Sequence, residues 1–242
     1  MKYYLALILL FNLSVHAQQP FAIVELFTSE GCSSCPAADN LLGEIKTNAE
    51  KSGQNIITLA YHVDYWNKLG WKDPYSKYQY TIRQENYSRV LADKELFTPQ
   101  AVINGKLSCT GSRKEELLGK ITTELKTSSG IFLEIKKDSL RNDTLFLSYK
   151  LQKENPDYVL RLALTEDGLS GKVSTGENSG KTLFHESVVR SLFSVNIPLQ
   201  NGQTKIFSNV FTGKGKRHLI AFLQLKKDMR IVAAQKVDLL VE

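Results

Sequence analysis

Phe27-Thr-Ser-Glu-Gly-Cys32-Ser-Ser-Cys35-Pro36 places a Cys-x-x-Cys pair between an apolar run and a helical pattern. The apolar run, residues 21–27, is typical of a buried strand. Leu41, Leu42 and Ile45 follow at the spacing of an amphipathic helix. Strand, dithiol and helix in this order predict a thioredoxin-like redox site.

The two cysteines of this motif have different predicted roles. A cysteine at a helix N-terminus lies where unpaired backbone N–H groups and the helix dipole favour a thiolate. The thiolate is the nucleophile in disulfide exchange. We therefore predict that Cys32 is the attacking sulfur and that Cys35, one turn inside the helix, resolves the mixed disulfide. Pro36 fits a first helical turn, where its missing N–H has no cost.

The N-terminus indicates export. Residues 1–17 have the basic start, the apolar run and the small final residue of a secretory signal peptide. No later segment is apolar enough to span a bilayer, so we expect no stable membrane insertion after signal removal. The protein is predicted to be periplasmic or secreted, where disulfides persist.

Composition limits the other function classes. The chain has 242 residues with 42 % hydrophobic composition, which allows one large or two small domains. Its net charge of +6 is scattered, without the basic stripe of a nucleic-acid-binding protein. Three cysteines are too few for a disulfide scaffold, and if Cys32 and Cys35 pair, Cys109 is left over. We favour a buried, inert Cys109 over a third redox partner.

Two regions follow the signal peptide. Residues 18–127 alternate strand and helix patterns, with a helical insertion near 73–92 that Asp73-Pro74 would cap, and with a hairpin at Asn104-Gly105. Residues 128–242 show short β-type runs separated by turns, which is typical of a β-sandwich-like domain. The predicted fold class is an α/β thioredoxin-like domain with a mixed sheet, followed by an all-β domain.

Several residues are candidates for supporting the dithiol. Thr98-Pro99 lies before the hairpin, where thioredoxin-like folds place a cis-proline, so we predict a cis bond. His62 and Asp64 close the second strand and could hold a thiolate or move protons. Each of them could equally be a satisfied structural group.

Four further side chains are candidates for contacting substrate. Trp66 and Trp71 follow the second strand, beyond the end where ligands bind in α/β sheets. Arg83 and Gln84 could bind an anionic group, or could lie on a solvated helix face.

Together these motifs resemble an exported bacterial family known as domain of unknown function 1223. The resemblance rests on residues 25–36, 62–66, 69–74, 83–84 and 98–100, and continues more weakly at 176–180 and 185–192. It implies a thioredoxin-like fold, whereas the family's name leaves its substrate open. Two features differ from ordinary thioredoxins. Gly31 stands where they carry Trp, and Leu26 stands where they carry a buried acid, with Glu25 on the opposite face of the strand.

Three functions remain open. The first is a thiol–disulfide oxidoreductase acting on a protein or small-thiol disulfide partner, with no cofactor and no metal. The second is a copper- or zinc-handling module that uses Cys32, Cys35 and His62. The third is a non-catalytic binding protein with a structural Cys32–Cys35 disulfide. The sequence does not indicate an oligomeric state.

Overall fold

A computed structural model describes residues 19–93, 95–127, 129–197, 199–209 and 215–239, so the predicted signal peptide lies outside the described residues. The helices are α1 (Cys35–Ser52), α2 (Tyr78–Leu91) and α3 (Lys114–Glu124), with a short 3-10 helix at Asn67–Leu69. The strands of the first half are β1 (Ala22–Thr28), β2 (Ile56–His62), β3 (Gln100–Ile103) and β4 (Leu107–Thr110). Those of the second half are β5 (Leu133–Arg141), β6 (Thr144–Leu151), β7 (Tyr158–Glu166), β8 (Leu169–Lys172), β9 (Thr182–His185), β10 (Val188–Val195), β11 (Asn201–Phe207), β12 (Arg217–Leu225) and β13 (Ile231–Asp238).

One mixed sheet of eight strands runs through both halves of the chain. Its order is β13-β12-β7-β10-β2-β1-β3-β4. β1 and β2 are parallel, as a crossover through α1 requires, and β3 and β4 form the predicted antiparallel hairpin. β10 joins the two halves because it pairs with β2 in parallel and with β7 antiparallel. β11, β6 and β5 form a second sheet, and β8 pairs with β9 alone.

Strand alternation distributes the apolar side chains into three buried clusters. On β1, Leu26 packs with α1 and α3, whereas Phe27 faces the opposite side together with α2. On β12, Phe222 extends the α2-side cluster, whereas Leu223 packs against the second sheet. The large sheet is therefore covered on both faces, and the end of β1 is held between α1 and α2.

The helix predicted near residues 73–92 is present, but its predicted start is wrong. α2 begins at Tyr78, and its N-cap position is Lys77. Asp73 does not cap it, because the Asp73 carboxylate accepts hydrogen bonds from the backbone N–H of Glu30 and Tyr75. Within the described ranges, the short β-type runs predicted in residues 128–242 correspond to strands β5 to β13.

Candidate functional site

The dithiol lies between the end of β1 and the start of α1. Cys32 and Cys35 form a disulfide, and Pro36 lies in the first turn of the helix, as the motif predicts. Cys32 is 1 % exposed and Cys35 is fully buried, whereas Ser33 and Ser34 between them are exposed. The disulfide is therefore covered, and only the loop that carries it reaches solvent.

Trp66 lies beside this loop and links it to the Thr98–Pro99 pair. The Thr98–Pro99 bond is cis, so that prediction is confirmed. The indole Nε1 of Trp66 donates a hydrogen bond to Thr98 Oγ1 at 2.8 Å. A Cβ placed on Gly31 would lie 3.2 Å from the Trp66 Cβ. Trp66 thus leaves little room for a side chain at the residue that precedes Cys32.

His62 lies at the end of β2, fully buried, and is paired with Asp73. Its Nδ1 lies 2.7 Å from Asp73 Oδ2, and neither side chain reaches solvent. Burial opposes a charged ring, but Asp73, Asp39 and Glu30 together raise the pKa of His62 above its ordinary value. Burial likewise opposes a charged Asp73, but the His62 ring and the backbone donors hold its pKa below the ordinary value.

Glu30 connects the dithiol loop to two aromatic rings. Its carboxylate accepts from Trp71 Nε1 at 2.7 Å, and its other oxygen lies 3.1 Å from His185 Nε2. All of Glu30 is buried. The indole N–H of Trp71 is therefore used inside the protein. If Trp71 contacts substrate, as predicted, only the rest of its ring is available for that contact.

Asp39 faces the two histidines from inside α1. The ring centroids of His62 and His185 lie 4.9 Å apart, and His185 Nδ1 lies 3.7 Å from Asp39 Oδ2. Both Asp39 oxygens, His62 Nε2 and His185 Nδ1 are buried without a hydrogen-bond partner among the described residues. Burial raises the pKa of Asp39, although the charges of His62 and His185 oppose this shift.

A loop of the second half, residues 174–180, contacts the dithiol loop directly. Asn178, fully buried, donates from Nδ2 to the carbonyl oxygens of Glu30 and Cys32, each at 2.9 Å. Glu177 accepts from the backbone N–H of Ser33 at 3.0 Å. These contacts bridge more than 140 residues of sequence and bring the weaker part of the family motif onto the candidate site.

Asp64 and Arg83 lie apart from this cluster. Asp64 accepts from Thr81 Oγ1 at 2.6 Å, so its carboxylate is directed at α2. Arg83 is 4 % exposed and bonds Glu25 at 2.7 Å on the far face of β1. The alternative that Arg83 lies on a solvated helix face is wrong, because its guanidinium is buried among internal acceptors. No described contact supports the other alternative, that Arg83 binds an anionic group.

Gln84 is also internal. It is fully buried and donates to the backbone oxygen of Phe97 and to Gln100 Oε1, at 2.8 and 2.9 Å. Its role is to fasten the segment that leads into Thr98–Pro99. Substrate binding by Gln84 has no supporting contact.

Cys109 is free and buried, which confirms the favoured interpretation. It packs among the α1 and α3 side chains, and burial raises the pKa of its thiol to about 11. Within the described ranges, no three His, Cys, Asp or Glu side chains are grouped to hold a metal ion. The metal hypothesis of Cys32, Cys35 and His62 therefore gains no support from the geometry.

Sequence reasoning missed five residues of the site: Glu30, Asp39, Glu177, Asn178 and His185. A single sequence shows none of these contacts, since they join α1, β9 and the loops on either side. The resemblance at residues 176–180 and 185–192 was the one feature that included three of them.

Fold and site define a mixed α/β protein with a disulfide-forming Cys-x-x-Cys at a helix start. A family model described as "Protein of unknown function (DUF1223)" matches residues 23–224, and the chain belongs to that family. A crystal structure of the protein AGR_C_4864 from Agrobacterium tumefaciens is similar, with a TM-score of 0.66 and 24 % identity. The match covers 91 % of this chain and 96 % of that one, and at this identity it shows the fold alone. No curated protein matches. None of the helices in the described ranges is long and apolar enough to cross a membrane.

Proposed function

We propose that the protein is an exported, thioredoxin-like thiol–disulfide oxidoreductase that acts through Cys32 and Cys35. The observation that carries this proposal is the disulfide at the start of α1, in a loop beside Trp66, whose indole is bonded to Thr98 of the cis Thr98–Pro99 pair. The thioredoxin-like unit comprises residues 18–127 and the β-sandwich-like unit comprises residues 128–242. The partner is a protein or small-molecule disulfide.

The exchange needs only the two sulfurs and a proton acceptor. The Cys32 thiolate attacks one sulfur of the substrate disulfide, whose S–S bond breaks, and the leaving thiolate takes a proton from water. Cys35 then loses its thiol proton and attacks the Cys32 sulfur, which releases the second substrate thiolate. Two electrons pass from the dithiol to the substrate, and the reverse sequence oxidises a substrate dithiol.

Asp39 is the proposed acceptor of the Cys35 proton. It follows Cys35 by four residues in α1, so the two side chains lie on the same helix face. Its carboxylate is buried, burial raises its pKa, and a raised pKa makes a carboxylate a better proton acceptor. Ordinary thioredoxins carry a buried acid on the first strand, where this chain has Leu26. In this proposal Asp39 on α1 takes the place of that acid.

The test is disulfide exchange by a Cys32→Ser variant, with Cys109→Ser as the matched control. Reduction of insulin by a dithiol should be accelerated by the unaltered protein and by Cys109→Ser, whereas Cys32→Ser should fall to the uncatalysed rate. Activity retained in Cys32→Ser, or no acceleration by the unaltered protein, would refute the proposal.

One observation favours a second candidate, a binding protein with a structural disulfide. Cys32 is 1 % exposed, and a covered disulfide resists attack. A redox titration with thiol counting separates the two functions. A two-thiol transition with a reduction potential in the range of known oxidoreductases supports exchange. A reduction potential below about −300 mV supports a structural role.

A further inference from the structure

The loop at residues 174–180, here named the clasp, is held onto the dithiol by few contacts. Within the clasp only Asn178 is buried, and the other residues are exposed. Its main attachments are Asn178 to the carbonyls of Glu30 and Cys32, Glu177 to Ser33, and Thr175 to the Gly70 carbonyl. A loop attached by a few hydrogen bonds can open without unfolding the sheet beneath it.

The clasp is bonded to the backbone at Cys32, the cysteine that has to react, and at the residue after it. An attacking thiolate needs access to a disulfide sulfur, and Cys32 is 1 % exposed. Asn178, which belongs to the second half of the chain, donates a hydrogen bond to the Cys32 carbonyl oxygen. The Oδ1 atom of Asn178 in turn accepts from Lys181 Nζ at 2.9 Å. With Asn178 bound, the chain segment that carries Cys32 is held in place.

Glu177 adds a negative charge at the start of α1. Hydrogen bonding from Ser33 lowers the pKa of Glu177, so the group is ionised at neutral pH. It accepts from the backbone N–H that directly follows Cys32. A Cys32 thiolate would compete for that donor and would repel the Glu177 carboxylate, since like charges at short range oppose each other. Reduction of the disulfide therefore weakens the attachment of the clasp.

We propose that the clasp closes over the oxidised Cys32–Cys35 pair and opens when the pair is reduced. Asn178 and Glu177 are positioning residues that act through Cys32: Asn178 latches the closed form, and Glu177 responds to the thiolate charge. The inference rests on the proposed function for its purpose, but access to Cys32 and its acidity are properties of the protein alone. Their tests need no substrate.

The first test follows reduction of the oxidised full-length protein by dithiothreitol, with thiol counting. If opening limits access, the observed rate of the unaltered protein levels off at high dithiothreitol. In Asn178→Ala, which loses two hydrogen bonds of the latch, the limiting rate should rise about five- to tenfold. Ser179→Ala, in the same loop, removes a hydroxyl that donates to the clasp's own Ser174 carbonyl, and this variant should match the unaltered protein.

The second test measures the pKa of the Cys32 thiol in the reduced protein, from the pH profile of alkylation by iodoacetamide. Glu177→Gln keeps an acceptor for Ser33 and removes the charge, so the Cys32 pKa should fall by about 0.3–0.7 unit. The other ionisable groups around the loop are Glu30, Asp39, His62, Asp73, Lys181 and His185, and they are unchanged in this variant. Glu44→Gln, which removes an exposed carboxylate farther along α1, is the control.

The outcomes separate this inference from the proposed function. Saturating reduction, a faster Asn178→Ala and an acidified Cys32 in Glu177→Gln support the clasp even if insulin reduction is absent. A rate that stays proportional to dithiothreitol and is equal in both proteins would overturn it, as would an unchanged Cys32 pKa. If Asn178→Ala does not fold, Glu177→Gln decides, because its side chain is exposed.

Discussion

At the residue scale, two buried aspartates near the dithiol have opposite electrostatic surroundings. Asp73 accepts from His62, Glu30 and Tyr75, and its pKa is lowered. Asp39 has the Thr28 hydroxyl and the His62 and His185 rings as polar neighbours, but burial outweighs them and raises its pKa. Asp73 therefore stabilises the fold as a carboxylate, whereas Asp39 reduces stability when it is charged.

Asp39→Asn should make the protein more stable and less active. A raised folded-state pKa means that the cost of Asp39 is absent below its ordinary value of 3.8 and grows as pH rises through the folded pKa. We expect a gain of about 1–2 kcal/mol in unfolding free energy at pH 7 and none at pH 3.5. Urea denaturation at the two pH values measures this gain.

The same variant should slow resolution of the mixed disulfide, because the proposed acceptor of the Cys35 proton is lost. Stopped-flow measurement of the second thiol released would detect the loss as a rate that falls tenfold or more near pH 7. An unchanged resolution rate would remove Asp39 from the mechanism while leaving its effect on stability.

Asp73→Asn is the opposite case. The lowered pKa of Asp73 means that its contribution is present above 3.8 and lost as pH falls through the folded pKa. The raised pKa of His62 means that the pair weakens again as pH rises above it. Between about pH 4 and that upper limit we expect a loss of about 3 kcal/mol in unfolding free energy, measured by urea denaturation. A loss that is the same at pH 3 and at pH 6 would contradict the pairing.

At the scale of elements, the hairpin of β3 and β4 was predictable from the sequence, whereas its packing against the β12–β13 turn was not. Asn104-Gly105 supplies positive φ angles of 49° and 65°, which its residue types permit. The structure adds that this turn packs against the β12–β13 turn, where Ile231 N–H donates to the Asn104 carbonyl. That contact joins two turns that lie far apart in the sequence, so no local sequence pattern predicts it.

Gly105→Ala should destabilise the protein through this contact. A Cβ on Gly105 would lie 2.2 Å from the Met229 carbonyl oxygen, and the residue would keep a positive φ. We expect a loss of about 2–3 kcal/mol in unfolding free energy by urea denaturation. Gly119→Ala, in α3 with nothing within 4 Å, should instead gain about 0.5–1 kcal/mol. If both substitutions changed the unfolding free energy equally, a close contact between residue 105 and the Met229 carbonyl oxygen would be excluded.

The start of α2 was predicted wrongly from the sequence because of a contact between elements. Asp73-Pro74 has the residue types of a helix start, but the Asp73 carboxylate is taken by a histidine that lies 11 positions earlier. Local propensity was outweighed by a tertiary hydrogen bond. Cys32, Cys35 and Pro99 were found because their chemistry is carried by short motifs, whereas Asn178 and His185 reach the site only through folding.

At the scale of the whole molecule, the two halves share a sheet and a core. The α2-side cluster combines Phe27 and Tyr61 of the first half with Phe222 of the second. The buried Arg83 bonds Glu25 in β1 and Gln224 in β12. Removing either half would leave a charged group and a sheet edge uncovered.

We therefore expect a single unfolding transition in differential scanning calorimetry, with equal calorimetric and van't Hoff enthalpies. A chain cut to residues 18–127 should fail to fold, because β2 would lose β10 and Arg83 would lose Gln224. Two resolved transitions, or a folded fragment of the first half, would show that the halves are independent.

The position of β12 in the sheet also sets the timing of folding during synthesis. β12 pairs with β7 on one side and with β13 on the other, and it begins only at Arg217. A ribosome that has translated four-fifths of the chain therefore holds a β7 edge without its partner and an Arg83 without Gln224. We therefore expect the eight-stranded sheet to close only after β12 and β13 have left the exit tunnel of the ribosome.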